Sequence, residues 1–256
     1  MDYAVTLIAG AVLVAALMGL GLAISKRREE LVVVDTFWPL GFIAVAALSA
    51  LLGTGAWQVR LLLLALTALW GGRLAWYLIG RNSGKGEDPR YAELAEQDGR
   101  SFAQVALMRV FGPQGVAMWL VATPLMVGVH NPRLTWVAIP GVVVWAVGLF
   151  FEAVGDAQLK AFKADPANRG KVMDQGLWKY TRHPNYFGDA CVWTGIWLTT
   201  ASTWPAALTV ISPIAMTFFL TKVTGAADNE KGMSKKPDYA DYVRRTSGFI
   251  PLPPRR

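Results

Sequence analysis

The chain has 256 residues, 54% of them hydrophobic and 17% charged, with a mean hydropathy of +0.34 and a formal net charge of +7. A soluble domain of this length could bury a good core, but it would not need so many unbroken apolar runs. With Cys191 as its one cysteine the chain forms no intrachain disulfide.

A bilayer core takes about 20 apolar residues per helix. Seven runs qualify: Ala4–Ile24, Leu31–Leu52, Trp57–Gly80, Phe102–Val129, Leu134–Phe162, Tyr186–Ala201 and Pro205–Lys222. The first has no basic residue before it and a basic cluster after it, which reads as a retained signal-anchor rather than a cleaved signal peptide. Gly112-Pro113 and Pro124 predict a kink or split in the fourth. The sixth is short, so it is expected to tilt or to start earlier. The expected class is an all-α integral membrane protein of about seven transmembrane helices, a single membrane domain over 1–256.

Basic residues set the orientation. The segments Lys26–Arg28, Arg81–Arg100, Lys160–Arg182 and Lys222–Arg256 hold 21 of the 25 Lys and Arg and fall on one side of seven alternating helices. The opposite loops, near Gly53–Ala56, His130–Arg133 and Thr199–Trp204, hold only Arg133. The positive-inside rule puts the N-terminus outside and the C-terminus in the cytoplasm. Trp57, Trp136 and Trp204 fall at outer helix ends, where interfacial anchors belong. The positive charge suits anionic headgroups, so no nucleic-acid partner is needed.

Asp35, Arg73, Arg109, Glu152, Asp156 and Asp189 are ionisable residues inside the spans, all in the cytoplasmic half. Each costs about 3 kcal/mol in lipid even on the lenient insertion scale, so together they point to one polar pocket open to the cytoplasm. Glu152, Asp156 and Lys163 share one face of the fifth helix. Arg182, Asn185 and Asp189 align along the start of the sixth, with Pro184 suited to its first position. Unsatisfied N–H groups beside Arg182 and His183 would suit a phosphate or a polar cofactor head. Blander readings stand beside these. Arg182 and His183 could snorkel, Glu152 and Asp156 could form a solvated face, and Asp35 could pair with Arg73.

Two histidines and one cysteine make no ordinary zinc or haem site, and no metal is expected. "GRNSGKG" (Gly80–Gly86) lacks the spacing of a phosphate loop and reads as a flexible loop within the polar stretch 82–100. No nucleophile elbow or dinucleotide-fold glycine fingerprint is present.

"GLWKYTRHPNYFGD" (Gly176–Asp189) and "KKPDYADYVRRTSGFIPLPP" resemble the steroid 5-alpha-reductase and sterol reductase superfamily of membrane enzymes, in a largely uncharacterised bacterial branch. "WGGRLAWYLIGRN" (Trp70–Asn82) and "EDPRY" (Glu87–Tyr91) add to the likeness. The resemblance implies NADPH bound on the cytoplasmic side and hydride transfer to a carbon–carbon double bond of a lipid from the bilayer: sterol-like, polyprenyl or fatty acyl. Residues 1–130 would form the lipid side and 134–256 the cofactor-binding part. By the same resemblance Asp156, Lys163, Arg182, His183, Asn185, Tyr186, Asp189 and Glu230 contact the cofactor, and Arg244 and Arg245 its 2′-phosphate end. Asp35 matches an acidic position serving the acceptor, and Trp70 replaces the partner tyrosine, which leaves Tyr77 or Tyr186 to supply a hydroxyl. That replacement points away from a 3-keto steroid.

Two rivals remain. Isoprenylcysteine and phospholipid methyltransferases share an Arg-His-Pro signature and bind S-adenosylmethionine there. Their tails usually carry paired glutamates where this chain has Asn229-Glu230. A non-catalytic lipid-binding membrane protein is the third reading. Oligomeric state is not legible.

Overall fold

The computed structural model describes residues 2–223, 230, 232–234 and 236–255. Among them the regular structure is helical throughout, with a single isolated bridge between Thr181 and Ser247. Asn229, like the basic residues Lys231, Lys235 and Arg256, lies outside the described residues. The helices are α1 (Asp2–Arg28), α2 (Val33–Leu52), α3 (Trp57–Asn82), α4 (Pro89–Asp98), α5 (Phe102–Gly128), α6 (Ala138–Ala164), α7 (Pro184–Thr200), α8 (Trp204–Lys222) and α9 (Tyr239–Arg245). The protein is an all-α membrane protein.

Six of these helices, α1, α2, α3, α5, α6 and α8, are long and apolar enough to span a bilayer. The sixth of the seven expected spans is α7, and at 17 residues it falls just short. It begins at Pro184, two residues before the predicted start, because Pro fits a first helical position and the His183 carbonyl accepts the Phe187 N–H. The stretch 82–100 is also not all loop: Pro89–Asp98 is helical.

The expected break in the fourth span takes the form of a π-helical turn over Ala106–Phe111. Pro113 has no N–H for a regular ladder, and the wider turn absorbs the mismatch. A second interruption falls at Ala122, and Pro124 then sits in the first turn of the closing segment Thr123–Gly128.

The chain divides into two compact units, Met1–Ala138 with Ile196–Ser212, and Ile139–Gly195 with Pro213–Arg256. The first unit thus takes in Ile196–Ser212 together with the amino-terminal helices. In the first unit, the three loops that the alternation puts on one side are bonded to one another. Gly55 N–H donates to Val129 O at 3.0 Å and Ala56 N–H to Asn131 O at 2.9 Å. Buried Asn131 donates to Thr200 O at 2.8 Å and accepts from the Thr203 hydroxyl at 2.6 Å. Gly55 is required, since a Cβ there would stand 2.3 Å from Asn131 O. Trp57, Trp136 and Trp204 are exposed at this end, as interfacial anchors would be.

The second unit is organised by glycine. Gly141, Gly148 and Gly155 lie seven residues apart on α6 and face Gly195, Gly188 and Pro184 of antiparallel α7. A Cβ at Gly188 would sit 2.5 Å from Gly148 O and from Glu152 N; one at Gly195 would sit 2.6 Å from Gly141 O. The two backbones therefore touch, the close approach that small residues permit between membrane helices. It also brings the polar start of α7 against the acidic end of α6.

Candidate functional site

Along this seam Glu152, Asp156 and Asp189 are all buried, at 3%, 4% and 7% exposure. Asn185 donates from Nδ2 to Asp156 Oδ1 at 3.3 Å, while its own Oδ1 is buried without a hydrogen-bond partner. A buried acceptor left open is costly, and it suits a ligand that brings an N–H or O–H donor.

Arg182 and His183 close the seam at the start of α7. Glu230 binds both: its Oε1 lies 3.0 Å from Arg182 Nε and 3.1 Å from His183 Nε2. The Arg182 contact is a charge pairing without hydrogen-bond alignment. His183 is buried, and burial lowers its pKa below the ordinary 6.5, assisted by Arg182 and partly offset by Glu230. The imidazole is thus neutral at pH 7. Since a carboxylate only accepts, its Nε2 carries the proton and donates to Glu230. Tyr186 stacks on the same ring at 5.3 Å.

The C-terminal segment holds this arrangement from outside the helices. Arg182 N–H donates to Ser247 O at 2.9 Å, the Thr181 hydroxyl to Phe249 O at 2.7 Å, and Leu252 N–H to Tyr180 O at 3.0 Å. A Cβ at Gly248 would stand 3.1 Å from Arg182 Nη2, so glycine lets the tail pass over the guanidinium. Trp178 Nε1 donates to Gly155 O at 3.0 Å, and the Tyr242 hydroxyl to Trp178 O at 2.7 Å. These supports, with Gln158 capping Leu177 N–H at 2.9 Å, are not picked out by the sequence reading. "GLW" and "SGF" draw notice only as parts of a motif, since pairing across some 70 residues has no local signal.

Among the described residues no three of His, Cys, Asp and Glu gather as metal ligands. The family described as a protein of unknown function, DUF1295, matches residues 21–246. The chain belongs to the DUF1295 family. This DUF1295 chain is also similar to the probable O-methyltransferase ustE of Ustilaginoidea virens, 46% identical over 56 residues. Those residues are 22% of this chain and span only 18% of that protein.

Seven candidates thus meet in the second unit of the DUF1295 fold: Glu152, Asp156, Arg182, His183, Asn185, Asp189 and Glu230, with Tyr186 beside them. Lys163 lies further along α6 and lines a cleft there. Arg244 and Arg245 are exposed and already paired, with Asp241 and, at 2.6 Å, with Asp174.

The remaining candidates belong to the first unit. Asp35 pairs with Arg81 at 2.7 Å rather than with Arg73, and accepts from Asn82 at 3.2 Å and from the Tyr91 hydroxyl at 3.1 Å. Glu87 accepts from the N–H groups of Leu31 and Val32 at the start of α2. "EDPRY" therefore fastens the 82–100 segment to α2. Arg109 is half exposed and pairs with Asp98 of α4 at 2.7 Å. Trp70 is fully buried with Phe42 edge-on at 5.7 Å, while Arg73 and Tyr77 are half-buried.

Proposed function

We propose that this DUF1295 chain is a membrane-embedded enzyme of the steroid 5-alpha-reductase type, which binds NADPH along the α6–α7 seam and reduces a carbon–carbon double bond of a lipid. The observation that carries this reading is the open acceptor of Asn185, held by Asp156 beside Arg182. An amide with a free acceptor suits a nicotinamide carboxamide, the seam carboxylates suit ribose hydroxyls, and a guanidinium suits phosphate oxygens. Bound there, NADPH would supply hydride. The chain's part is to orient the ring through Asn185, exclude water at the glycine-packed seam and deliver a proton as negative charge develops on the acceptor. Tyr186, stacked on neutral His183, would be the second unit's hydroxyl for that step. The basic segments favour a site facing the cytoplasm, and the likeness to a bacterial branch favours a bacterial inner membrane.

A second reading has its own support. Glu152, Asp156 and Asp189 are buried along the seam and Glu230 lies beside Arg182 and His183, a set of carboxylates that suits a cation such as the sulfonium of S-adenosylmethionine. The similarity to a probable O-methyltransferase leans the same way. Titration calorimetry on detergent-purified protein separates them. NADPH binding that weakens at least tenfold in Asn185→Ala, with no competition by S-adenosylmethionine, supports reduction. Binding of the methyl donor alone overturns it, and binding of neither favours a non-catalytic lipid carrier.

A further inference from the structure

Past its carboxylates the α6–α7 seam continues toward the start of α6, and one buried donor there is left open. Trp145 lies on α6 between Gly141 and Gly148, on the face that meets α7. A Cβ at Gly195 would stand 2.5 Å from Trp145 N and 2.7 Å from Trp145 Cβ, so the indole leaves α6 directly beside that glycine. The side chain is buried, at 7% exposure, yet its Nε1–H has no hydrogen-bond acceptor among the described residues.

Other tryptophans show that this fold supplies acceptors readily. Trp119 donates to Leu7 O at 3.0 Å, Trp178 to Gly155 O at 3.0 Å and Trp197 to Ala207 O at 3.1 Å. Those three are only half-buried, whereas Trp145 is more deeply enclosed and loses more by leaving its N–H unpaired. The α7 residues along this part of the seam, Val192 and Gly195, bring no polar side chain. An ordered water, which needs about three partners, is poorly served there. An indole is an apolar body with one donor at its edge, and in an apolar wall it selects a ligand with a matching acceptor.

We infer that Trp145 is a binding residue for the lipid, its N–H receiving an uncharged carbonyl or hydroxyl oxygen carried within the ligand's apolar part. Seven residues of α6 separate Trp145 from Glu152, which puts that oxygen about 10 Å along the helix from the carboxylates. A bare polyprenyl chain has no such oxygen, so an oxygenated sterol-like or acyl lipid is selected. Calling this ligand the substrate rests on the reductase reading; the pairing of the N–H with an oxygen does not.

The test labels the indoles of the full chain with nitrogen-15 in detergent. Trp145→Phe, which keeps an aromatic ring, identifies the Trp145 N–H by the signal it removes. Nonadecan-10-one, nonadecan-10-ol and nonadecane are probes of one chain length with a mid-chain carbonyl, a mid-chain hydroxyl and neither. At least one oxygenated probe should move the wild-type Trp145 signal downfield while nonadecane does not, and Trp145→Phe should bind that probe up to about tenfold more weakly. A signal unmoved by both oxygenated probes, or moved equally by nonadecane, overturns the inference. Calorimetry with NADPH keeps the two questions apart: wild type that does not bind NADPH refutes the reductase reading, whatever the indole signal does.

Discussion

Replacing Gly188 by alanine tests whether the glycine contact is what assembles the site. The new Cβ would stand 2.5 Å from Gly148 O and Glu152 N, both backbone atoms that no rotamer change can move. To reach van der Waals separation α7 must withdraw from α6 by about 1 Å. Overpacking of this kind costs about 1–3 kcal/mol, against which alanine returns up to about 1 kcal/mol of helix propensity. The same withdrawal stretches the 3.3 Å bond between Asn185 and Asp156 beyond hydrogen-bonding range. Gly72→Ala is the control, because its Cβ would meet nothing within 4 Å. The assay is thermal unfolding in detergent followed by calorimetry with NADPH and S-adenosylmethionine. Gly188→Ala should melt several degrees below wild type and bind its cofactor at least tenfold more weakly, while Gly72→Ala matches or exceeds wild type in both. If the two variants behave alike, backbone contact at Gly188 does not hold the seam together.

Three further outcomes follow from named contacts. Asp35→Asn loses its ion pair with half-exposed Arg81 and weakens the links to Asn82 and Tyr91, so it should destabilise the chain by about 1 kcal/mol and speed limited proteolysis between residues 83 and 100. Lost turnover with unchanged proteolysis would instead give Asp35 the role of proton donor to the reduced lipid. Glu230→Gln removes a carboxylate 3.0 Å from Arg182 and should strengthen NADPH binding several-fold while weakening S-adenosylmethionine; the reverse pattern would favour methyl transfer. Burial lowers the pKa of both His183 and His130 below 6.5, so the unfolded chain takes up these protons first. Stability should therefore hold above pH 6.5 and decline below it, and His183→Gln should make that decline shallower in melting curves recorded from pH 8 to pH 5.

What the sequence made legible follows from which signals are local. Apolar length marks six of the spans, and Pro184 marks the start of α7 within two residues. The polar face Arg182, Asn185 and Asp189 is readable from its spacing of three and four, and the facing acids Glu152 and Asp156 from theirs. The partners of those charges are not readable, because a carboxylate does not name its cation. Asp35 could be set against Arg73 by depth alone, yet Arg81 reaches it from the end of α3, and Asp98 takes Arg109 by way of a helix in what reads as a loop. The spacing of Gly141, Gly148 and Gly155 was open to inspection, but in an apolar run glycine reads as filler until the partner backbone is seen.

That spacing explains why polar chemistry can persist at this place in a membrane protein. Three buried carboxylates would each cost several kcal/mol if left without compensation, so an apolar seam would be the more stable choice for holding two helices together. The glycines already provide the attachment, through packing that needs no polar group. Under the proposed function Glu152, Asp156 and Asp189 then serve the cofactor that enters beside them. The entering group must bring donors to the seam, and any phosphate it carries must lie away from the carboxylates, toward Arg182. A nicotinamide riboside meets the first demand with an amide and hydroxyls, and a sulfonium meets it with charge. Because Glu230 now occupies Arg182, an anionic cofactor has to displace that carboxylate and a cationic one does not. Affinity measured with and without the Glu230 charge is therefore the comparison that distinguishes the two chemistries.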